Sequence, residues 1–592
     1  MSDRFFVGGS RAIGLVSAAA ALASVAGCAN PFGPDSGDYG QVVPVERLRS
    51  IGTLTLADYA APEGEDLTFR RLASDPLSDP YAGLERLEVT VEQCRAWTLE
   101  NNLDLQVSLI DPTIERVRLS GEEAKFESTF FIDANYANTD QPTSSDLQGS
   151  NAEFTDFTPG VTIPLRSGGT ATVSLPTNRT ETNNEFSTLN PAYTTDLRLS
   201  ISQPLLRGAG RRANTHSIRI QSLESQVAEA RAKLEVIRRL AEVERAYWTN
   251  FAARKALEVT QQQYELATEQ LERARRRVRA QVAPEVEIIR AEDGVAARLE
   301  DIIRADNAAR EAQRNLKRIL NVKGMEIGKP MVLDLTSPPD PVSYKLDPDR
   351  LVTDAIANRM EMLEFELRLA QDYSSIDFAR NQALPLFVMD YSYTINGLGS
   401  SYSDSLGVLR DNRFEDWTVG ARFEALIGNE AAESRVHVAI LNRLQRLASR
   451  AARELAIRQE VLNAVDGLES SWQRILAARQ SVELAERLLR AEQNQFEVGA
   501  RTSTDVLDAA TRLADAQLSE IRAITDYQIA QVDLSFATGT LLGALKVDWE
   551  PRDPRVPPGD FAGERAGRVP LGPPGVPVPD PGPPPGWPPP NF

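Results

Sequence analysis

The sequence predicts an α+β fold in which short β-strands are followed by pairs of very long antiparallel helices, in an order that occurs twice along the chain. Regions 213–280 and 430–497 have apolar residues spaced three and four apart, as in amphipathic helices. Helices of this length would be too long for a compact globular domain. Segments before each region alternate apolar with polar residues, which is typical of strands. Short patterns also repeat between the halves, such as Glu-Leu-Ala at 265–267 and again at 483–485.

The composition excludes several classes of protein. The chain has 592 residues, a formal net charge of -19 and 42% hydrophobic residues. The excess of negative charge argues against binding to nucleic acid, which needs a basic surface for the phosphates. Two His and two Cys are too few for a His-based or Cys-rich metal site or for Cys/His nucleophile machinery. The sequence therefore predicts no enzyme activity, no cofactor and no bound metal.

The N-terminus has the features of a secretory signal. Arg4 and Arg11 precede an apolar stretch at 12–26, and small residues lead directly into Cys28. This ending resembles the lipobox of bacterial lipoproteins, in which the Cys becomes the lipidated first residue of the mature chain. We therefore expect a signal peptide at 1–27 and lipid attachment at Cys28. The alternative is an ordinary signal peptide with a Cys there by chance.

Low-complexity segments flank the body of the chain. Residues 28–86 are rich in Pro, Gly, Asp and Ser and predict a linker that follows the lipid anchor. Residues 543–592, dominated by Pro and Gly from Pro551 onward, predict a disordered tail. After the signal, no run of about 18 to 20 apolar residues occurs. A secreted, membrane-anchored chain of this kind can still cross a membrane as a closed β-barrel.

The first half, 87–322, is predicted to begin with a helix. Residues 89–125 have a helical pattern, with Thr90 as a candidate cap and a break at Asp111-Pro112. Cys94 falls on this pattern and is expected to be a small buried residue. The elements predicted after it are strands at 131–136, 160–165, 170–175 and 197–203, and helices at 213–280 and 284–320.

After a connector at 323–344, the second half, 345–542, repeats this order. Its predicted elements are a lead helix at 351–384, strands at 386–393 and 417–423, and helices at 430–497 and 503–538. A helix of about 68 residues spans about 100 Å at about 1.5 Å per residue. The strands of one chain are too few to close a wide barrel, so closure implies a symmetric oligomer.

Three segments carry a family resemblance. Residues 496–508 read Phe-Glu-Val-Gly-Ala-Arg-Thr-Ser-Thr-Asp-Val-Leu-Asp, residues 203–208 read Gln-Pro-Leu-Leu-Arg-Gly, and residues 87–105 contain Glu-Asn-Asn-Leu-Asp. They resemble the hairpin tip, the strand-to-helix junction and the opening helix of TolC-type outer-membrane efflux proteins, in the lipoprotein subgroup. With the duplication, the resemblance covers about residues 87–542.

The resemblance implies an architecture and a function. Such proteins are homotrimers whose outer-membrane β-barrel, with four strands from each subunit, continues into a long periplasmic α-helical coiled-coil barrel. They conduct substrates passively to the exterior from a periplasmic adaptor protein and an inner-membrane pump of the RND or ABC type. This is the outer-membrane part of a tripartite efflux or type I secretion system. The alternative is a lipid-anchored periplasmic coiled-coil tether without a pore.

The resemblance also assigns residues to the two helical tips. Val498, Gly499 and Ala500 correspond to the turn that adaptors touch. Val282 and Pro284 hold the matching place in the first tip, and Gly499 supplies a turn that other residues make with strain.

The same match places a periplasmic gate just after the second turn. Arg501, Asp505 and Asp508 correspond to gate residues, with Arg501 among the polar contacts that hold the tips together. Asp505 and Asp508 are three apart and share a helix face, so three copies would form stacked acidic rings that favour cations. The alternative is that both carboxylates simply stabilise the helix N-terminus.

The sequence departs from the family pattern. Its first tip reads Gln-Val-Ala-Pro at 281–284, where a Gly-containing turn is usual. Segments 160–165 and 170–175 read as extra strands, which makes six strands per subunit the alternative to the four that we expect. Three copies of the two His, His216 and His437, would form one belt of histidines below the barrel. We expect these side chains to serve ordinary packing, and the alternative is a pH- or metal-sensing ring.

Overall fold

The computed structural model describes residues 85–144 and 149–548. All of them belong to one compact unit, 76–592. Four predicted features therefore fall wholly or mostly outside the described residues: the signal peptide 1–27, lipid attachment at Cys28, the linker 28–86 and the tail 543–592.

The first half contains strands, short lead helices and one pair of long helices. Its elements are β1 (Glu85–Val89), α1 (Val91–Asn101), α2 (Leu103–Ser108), α3 (Asp111–Glu123), β2 (Thr129–Asp140), β3 (Asn151–Pro164), β4 (Thr170–Ser174), β5 (Thr177–Thr182), β6 (Ala192–Pro204), α4 (Arg211–Asn214), α5 (His216–Arg279) and α6 (Val286–Leu320). The predicted long helices are confirmed within a few residues at each end.

The second half has the same order with fewer strands. After β7 (Met331–Leu335) in the connector, its elements are α7 (Pro348–Asn358), α8 (Met360–Gln382), β8 (Leu386–Gly399), α9 (Tyr402–Arg410), β9 (Glu415–Glu424), α10 (Glu430–Glu497), α11 (Ser503–Ala537) and α12 (Leu541–Ala544). Helix α10 begins and ends at the predicted residues. Its 68 residues correspond to about 100 Å at about 1.5 Å per residue.

The long helices pack as two hairpins. Helix α5 packs against α6, α10 packs against α11, and α11 also packs against α5, which joins the hairpins. Near the second turn the contact is made by small and aliphatic side chains, including Ala485, Leu489, Val506 and Ala509. Narrow seams of this kind suit coiled-coil pairing. Within the described ranges, no helix has both the length and the hydrophobicity required to span a membrane.

The prediction of one helix over 89–125 is wrong in detail. Residues 85–89 form a strand, and the helical part is divided into α1, α2 and α3. The predicted cap is confirmed, because Thr90 forms a capping box with Gln93 at the start of α1. The first break occurs at Asn102, whose extended backbone ends α1 while its side chain accepts from Leu105 N and donates to Ile319 O. An Asn that satisfies two backbone groups stabilises this break.

The second lead helix is also divided, at Arg359. This residue has an extended backbone and is 4% exposed. Its guanidinium is paired with Glu361 and Glu460, and Arg453 contacts the same two carboxylates. A buried charge needs such partners, so the break at Arg359 is held by ion pairs that apolar periodicity does not reveal.

A parallel strand pair joins the start of the first half to the connector that follows it. β1 pairs with β7, from Glu85↔Met331 to Val89↔Leu335. Neither strand is predicted from the sequence, since parallel partners so far apart leave no local signal. Val89, Cys94 and Leu333 lie in the core beneath the pair, each with 0% exposure. The buried position predicted for Cys94 is confirmed, and burial raises the pKa of its thiol to about 12.

The remaining strands form one antiparallel sheet. Its order is β2-β3-β4-β6-β8-β9, with β5 also pairing with β3 and β6. β4 and β5 pair with successive parts of β3 and of β6, so they occupy a single strand position interrupted at Leu175-Pro176. The sheet of one chain therefore has six strand positions. The segments predicted as extra strands pair within this sheet, which therefore has two positions more than the four expected for the barrel. The number of strands that enter a barrel stays a prediction.

The two faces of the sheet differ in polarity. Side chains alternate between faces along each strand, and the register fixes which residues share a face. One face carries Phe130, Ile132, Val161, Ile163, Ala171, Val173, Leu199, Ile201, Tyr391, Tyr393, Trp417 and Val419. The opposite face carries Asp133, Asn135, Asp156, Thr158, Thr162, Thr172, Ser200, Ser202, Asp390, Ser392, Asp416 and Thr418. We refer to them as the apolar face and the polar face.

Candidate functional site

The turns between the long helices form two tips, residues 280–285 and 498–502. In the second tip, Gly499 has a φ of 79°, a region that favours glycine. Gly499 N donates to Phe496 O at 3.0 Å, and Ala500 N donates to Gln495 O at 2.9 Å. These two bonds constitute a Schellman motif, which satisfies the last carbonyls of α10.

The first tip ends its helix in the same way without a glycine. Gln281 has a φ of 60°, its N–H donates to Val278 O, and Val282 N donates to Arg277 O at 3.1 Å. Gln281 is thus the counterpart of Gly499. The missing glycine changes the strain at this turn and leaves its hydrogen-bond pattern intact.

The predicted adaptor-contact residues are all at the surface. Val282 is 65% exposed and Val498 is 80% exposed. Gly499, Ala500 and Pro284 are exposed as well. Apolar valine side chains are therefore exposed at the ends of both hairpins.

The predicted gate residues have different surroundings. Asp505 closes a capping box at the start of α11, where its carboxylate accepts from Thr502 N at 2.9 Å and Thr502 N-caps the helix. These hydrogen bonds hold the pKa of Asp505 below its usual value. Asp508 is exposed one turn later. Within one chain, Asp505 therefore stabilises the helix N-terminus, whereas Asp508 is displayed.

Arg501 bonds within its own hairpin. Its Nε lies 3.1 Å from Gln495 Oε1 and 3.2 Å from Glu492 Oε2, both on α10. A contact of Arg501 with another subunit stays a prediction.

The joint between the tips depends on residues that are not predicted as site residues from the sequence. The Arg277 guanidinium lies 4.4 Å from the centroid of the Phe496 ring and donates to Phe496 O at 3.0 Å. Ser503 N donates to Glu287 Oε2 at 3.1 Å, and Arg290 donates to the other oxygen of that carboxylate. Glu287 is 9% exposed. A charged residue in the first turn of a helix gives no hint of a partner in another hairpin.

The two histidines have unlike environments. The ring of His216 stacks on Phe378 with 4.5 Å between centroids, and its Nδ1 lies 3.0 Å from Ser374 Oγ. Burial, with the nearby Arg219, lowers the pKa of His216. His437 is exposed on α10. Across the described residues, no cluster of three or more His, Cys, Asp or Glu side chains could hold a metal ion.

The family model for outer membrane efflux proteins matches residues 170–322 and 351–540, more than half of the chain. The chain belongs to the outer membrane efflux protein family. Members of this family are transport proteins rather than enzymes. The match includes both tips and the strand-to-helix junctions above them.

Solved structures of outer-membrane channels share the fold. The chain is 13% identical to Campylobacter jejuni CmeC, with 76% of this chain and 86% of that chain covered and a TM-score of 0.58. For Vibrio cholerae VceC the identity is 14%, the coverage 76% and 96%, and the TM-score 0.54. For the open state of Neisseria gonorrhoeae MtrE the values are 18%, 76% and 89%, and 0.55. No curated protein matches the chain in sequence.

Proposed function

We propose that this outer membrane efflux protein is one subunit of a trimeric channel that conducts substrates passively to the exterior. The observation that carries the proposal is the sheet with one apolar and one polar face. In a membrane barrel, strands alternate between a lipid-facing apolar side and a polar interior. A soluble tether has no use for an outward row of Phe, Tyr, Trp and aliphatic side chains.

The edges of the sheet support closure by other subunits. Among the described residues, β2 pairs only with β3 and β9 pairs only with β8. Every residue of β9 is exposed in the single chain. Strand edges cannot remain unpaired in a bilayer, so copies of the chain complete one another's sheets.

The helices also present a surface for a second copy. Leu441, Leu455, Leu462 and Leu476 on α10 are 61%, 68%, 39% and 51% exposed. Their separations are multiples of seven, which aligns them along one side of a helix that supercoils with others. This row supports a helical tube built from several chains beneath the barrel.

The tips are the proposed meeting point with a periplasmic adaptor and, through it, with an inner-membrane pump of the RND or ABC type. Exposed Val282 and Val498 support this contact. Changing Gly499 and Ala500 to bulky charged residues should abolish pull-down of the adaptor by the intact protein. Pull-down that persists would contradict the proposed contact.

Asp508 is the stronger candidate for the gate, because Asp505 is engaged in its cap. Asp508→Asn should lower the preference of the channel for cations, whereas Asp505→Asn should affect mainly the stability of the second tip. Equal effects on ion selectivity would contradict this division.

Conductance in planar bilayers tests the central proposal. The purified full-length protein should form ion-conducting pores, and a pore-free tether should form none. The lipid anchor is tested separately: the mass of the mature N-terminal peptide should include acyl chains, and the Cys28→Ser variant should lose them.

A further inference from the structure

We infer that the inserted strands β3, β4 and β5 belong to the barrel wall, so that three copies of the chain close an eighteen-stranded barrel. The count is three chains with six strand positions each. The four long helices of each chain, α5, α6, α10 and α11, give twelve in the tube below. The inference rests on the proposed trimeric channel and adds the width of its outer end.

The hydrogen-bond register continues through the insertion. β2 pairs with β3 along twelve residues, from Thr129↔Thr162 to Asp140↔Asn151. β4 then pairs with β3 on one side and with β6 on the other, with Thr172 facing both Thr162 and Ser200. Among the described residues, β2 and β6 do not pair with each other and are connected only through β3, β4 and β5. If these strands left the wall, β2 would lose its connection to β6.

The polarity of the faces continues as well. Val161, Ile163 and Val173 lie on the apolar face, in line with residues of β2 and β6. On the polar face, Thr162 Oγ1 lies 3.4 Å from Thr172 Oγ1. A hairpin that folded over the mouth in water would not need this alternation, whereas a lipid-exposed wall does.

The number of positions satisfies the geometry of closure. With antiparallel pairing throughout, an even number of positions makes the two edge strands, β2 and β9, run in opposite directions. The β9 edge of one copy then meets the β2 edge of the next as an antiparallel pair. β4 and β5 count as one position, as their pairing with successive parts of β3 indicates. Seven positions would make β2 and β9 run in the same direction, and neighbouring copies would then meet as a parallel pair.

The turn of the insertion is fixed to the strand-to-helix junction. Ser167 Oγ donates to Gln203 Oε1 at 2.7 Å, and Gln203 Nε2 donates to Ser167 O at 3.2 Å. Gly210 N donates to Ser167 O at 2.9 Å, and Arg166 lies over the ring of Phe126. These contacts hold the turn at the rim where the sheet meets the helices.

The consequence is a duct whose outer end is wider than a twelve-stranded barrel would be. Barrel diameter grows roughly linearly with strand number, so the increase is about 1.5-fold. The helical tube keeps its twelve long helices. Substrates are therefore selected by size in the tube and at the tips, and the wider barrel does not restrict their passage further.

Labelling of single cysteines by a water-soluble maleimide in proteoliposomes tests the inference. Thr172→Cys and Val173→Cys examine the insertion, and Ser392→Cys and Tyr391→Cys examine β8, which belongs to the wall under either strand count. Ser392 lies in the same cross-strand row as Thr172, through Ser200. The parent protein gives the background, which includes buried Cys94.

We expect Thr172→Cys and Ser392→Cys to be fully labelled while Val173→Cys and Tyr391→Cys stay unlabelled until detergent is added. Labelling of both insertion variants, with alternation retained at Ser392 and Tyr391, would overturn the eighteen-stranded barrel and leave the channel proposal standing. Loss of alternation at Ser392 and Tyr391 would overturn the channel proposal and the inference with it.

Discussion

Glu287, in the first hairpin, accepts the backbone N–H of Ser503, in the second, at 3.1 Å. Both residues are buried, at 9% and 0% exposure. The bond joins the first turns of α6 and α11, so the two tips of one chain are mechanically connected. A gate formed by the second tip would therefore move against a restraint from the first.

Glu287→Ala should loosen the second tip. It leaves the buried Ser503 N–H without its acceptor, which costs about 1–3 kcal/mol. Hydrogen exchange in peptides that cover 500–508 should accelerate by one to two orders of magnitude, since about 1.4 kcal/mol is tenfold. The matched control is Glu285→Ala, because exposed Glu285 makes no side-chain cap bond to α6. Equal exchange in both variants would contradict a special role for Glu287.

Arg277→Ala should increase basal conductance. It removes the cation–π contact with Phe496, worth about 0.5–2 kcal/mol, and the bond to Phe496 O. Arg279→Ala is the control, since exposed Arg279 bonds to Arg275 O on its own helix. Single-channel recordings should show more frequent opening for Arg277→Ala alone. If channels of both variants open equally often, the loss of a positive charge explains the effect, and the contact between Arg277 and Phe496 is not required to explain it.

The two tips should respond in opposite directions to an exchange of residues. Gln281→Gly removes a side chain from a left-handed position, so it should be neutral or stabilise its turn by up to about 1 kcal/mol. Gly499→Gln should destabilise the second turn by about 1–2 kcal/mol. Hydrogen exchange localised to each tip measures the effects. Destabilisation by both changes would show that the side chain of Gln281 has a separate role.

Stability should fall in mild acid because of His216. Its pKa is lowered in the folded protein, so the unfolded chain binds the proton more readily. The stabilising contribution is complete above the ordinary His pKa of about 6.5 and is lost as the pH falls below it. His216→Phe keeps a ring against Phe378 and should reduce the loss of thermal midpoint between pH 7 and pH 5. His437→Gln, at an exposed site, should leave that loss unchanged.

Gly160→Ala should destabilise the sheet. A Cβ at Gly160 would overlap the ring of Phe131, which lies across the glycine on the polar face. Overpacking of this kind costs about 1–3 kcal/mol. Gly420→Ala is the matched control on the same face, since its Cβ would meet nothing closer than 3.8 Å. Urea midpoints should differ between the variants, and equal midpoints would mean that Phe131 moves aside freely.

The sequence predicts those parts of the fold that have a local period. The bounds of α10 follow from apolar spacing sustained over 68 residues, and the strand at 197–203 follows from strict alternation. The break at Arg359 and the pairing of β1 with β7 depend on partners about 100 and 246 residues away. A short stretch of sequence contains only one partner of each such contact, so the contact cannot be recognised from local periodicity.

The same distinction applies to the tips. Gly499 and the cap formed by Thr502 and Asp505 have short-range signatures, and the structure contains both. Arg277 and Glu287 resemble many other charged residues on these helices. Their importance arises from the packing of α5 and α6 against α10 and α11, which is a property of the assembled hairpins.

The parallel pairing of β1 with β7 limits how early the first half can complete its fold during synthesis. β1 leaves the ribosome 246 residues before the strand that it pairs with, as Glu85 and Met331 show. A contact of such long range forms slowly, because a large loop must close first. The hairpin of α5 and α6 can fold locally in the meantime. Once Met331 has been synthesised, β7 can pair with β1. Truncated chains that stop before this strand should lack this pairing.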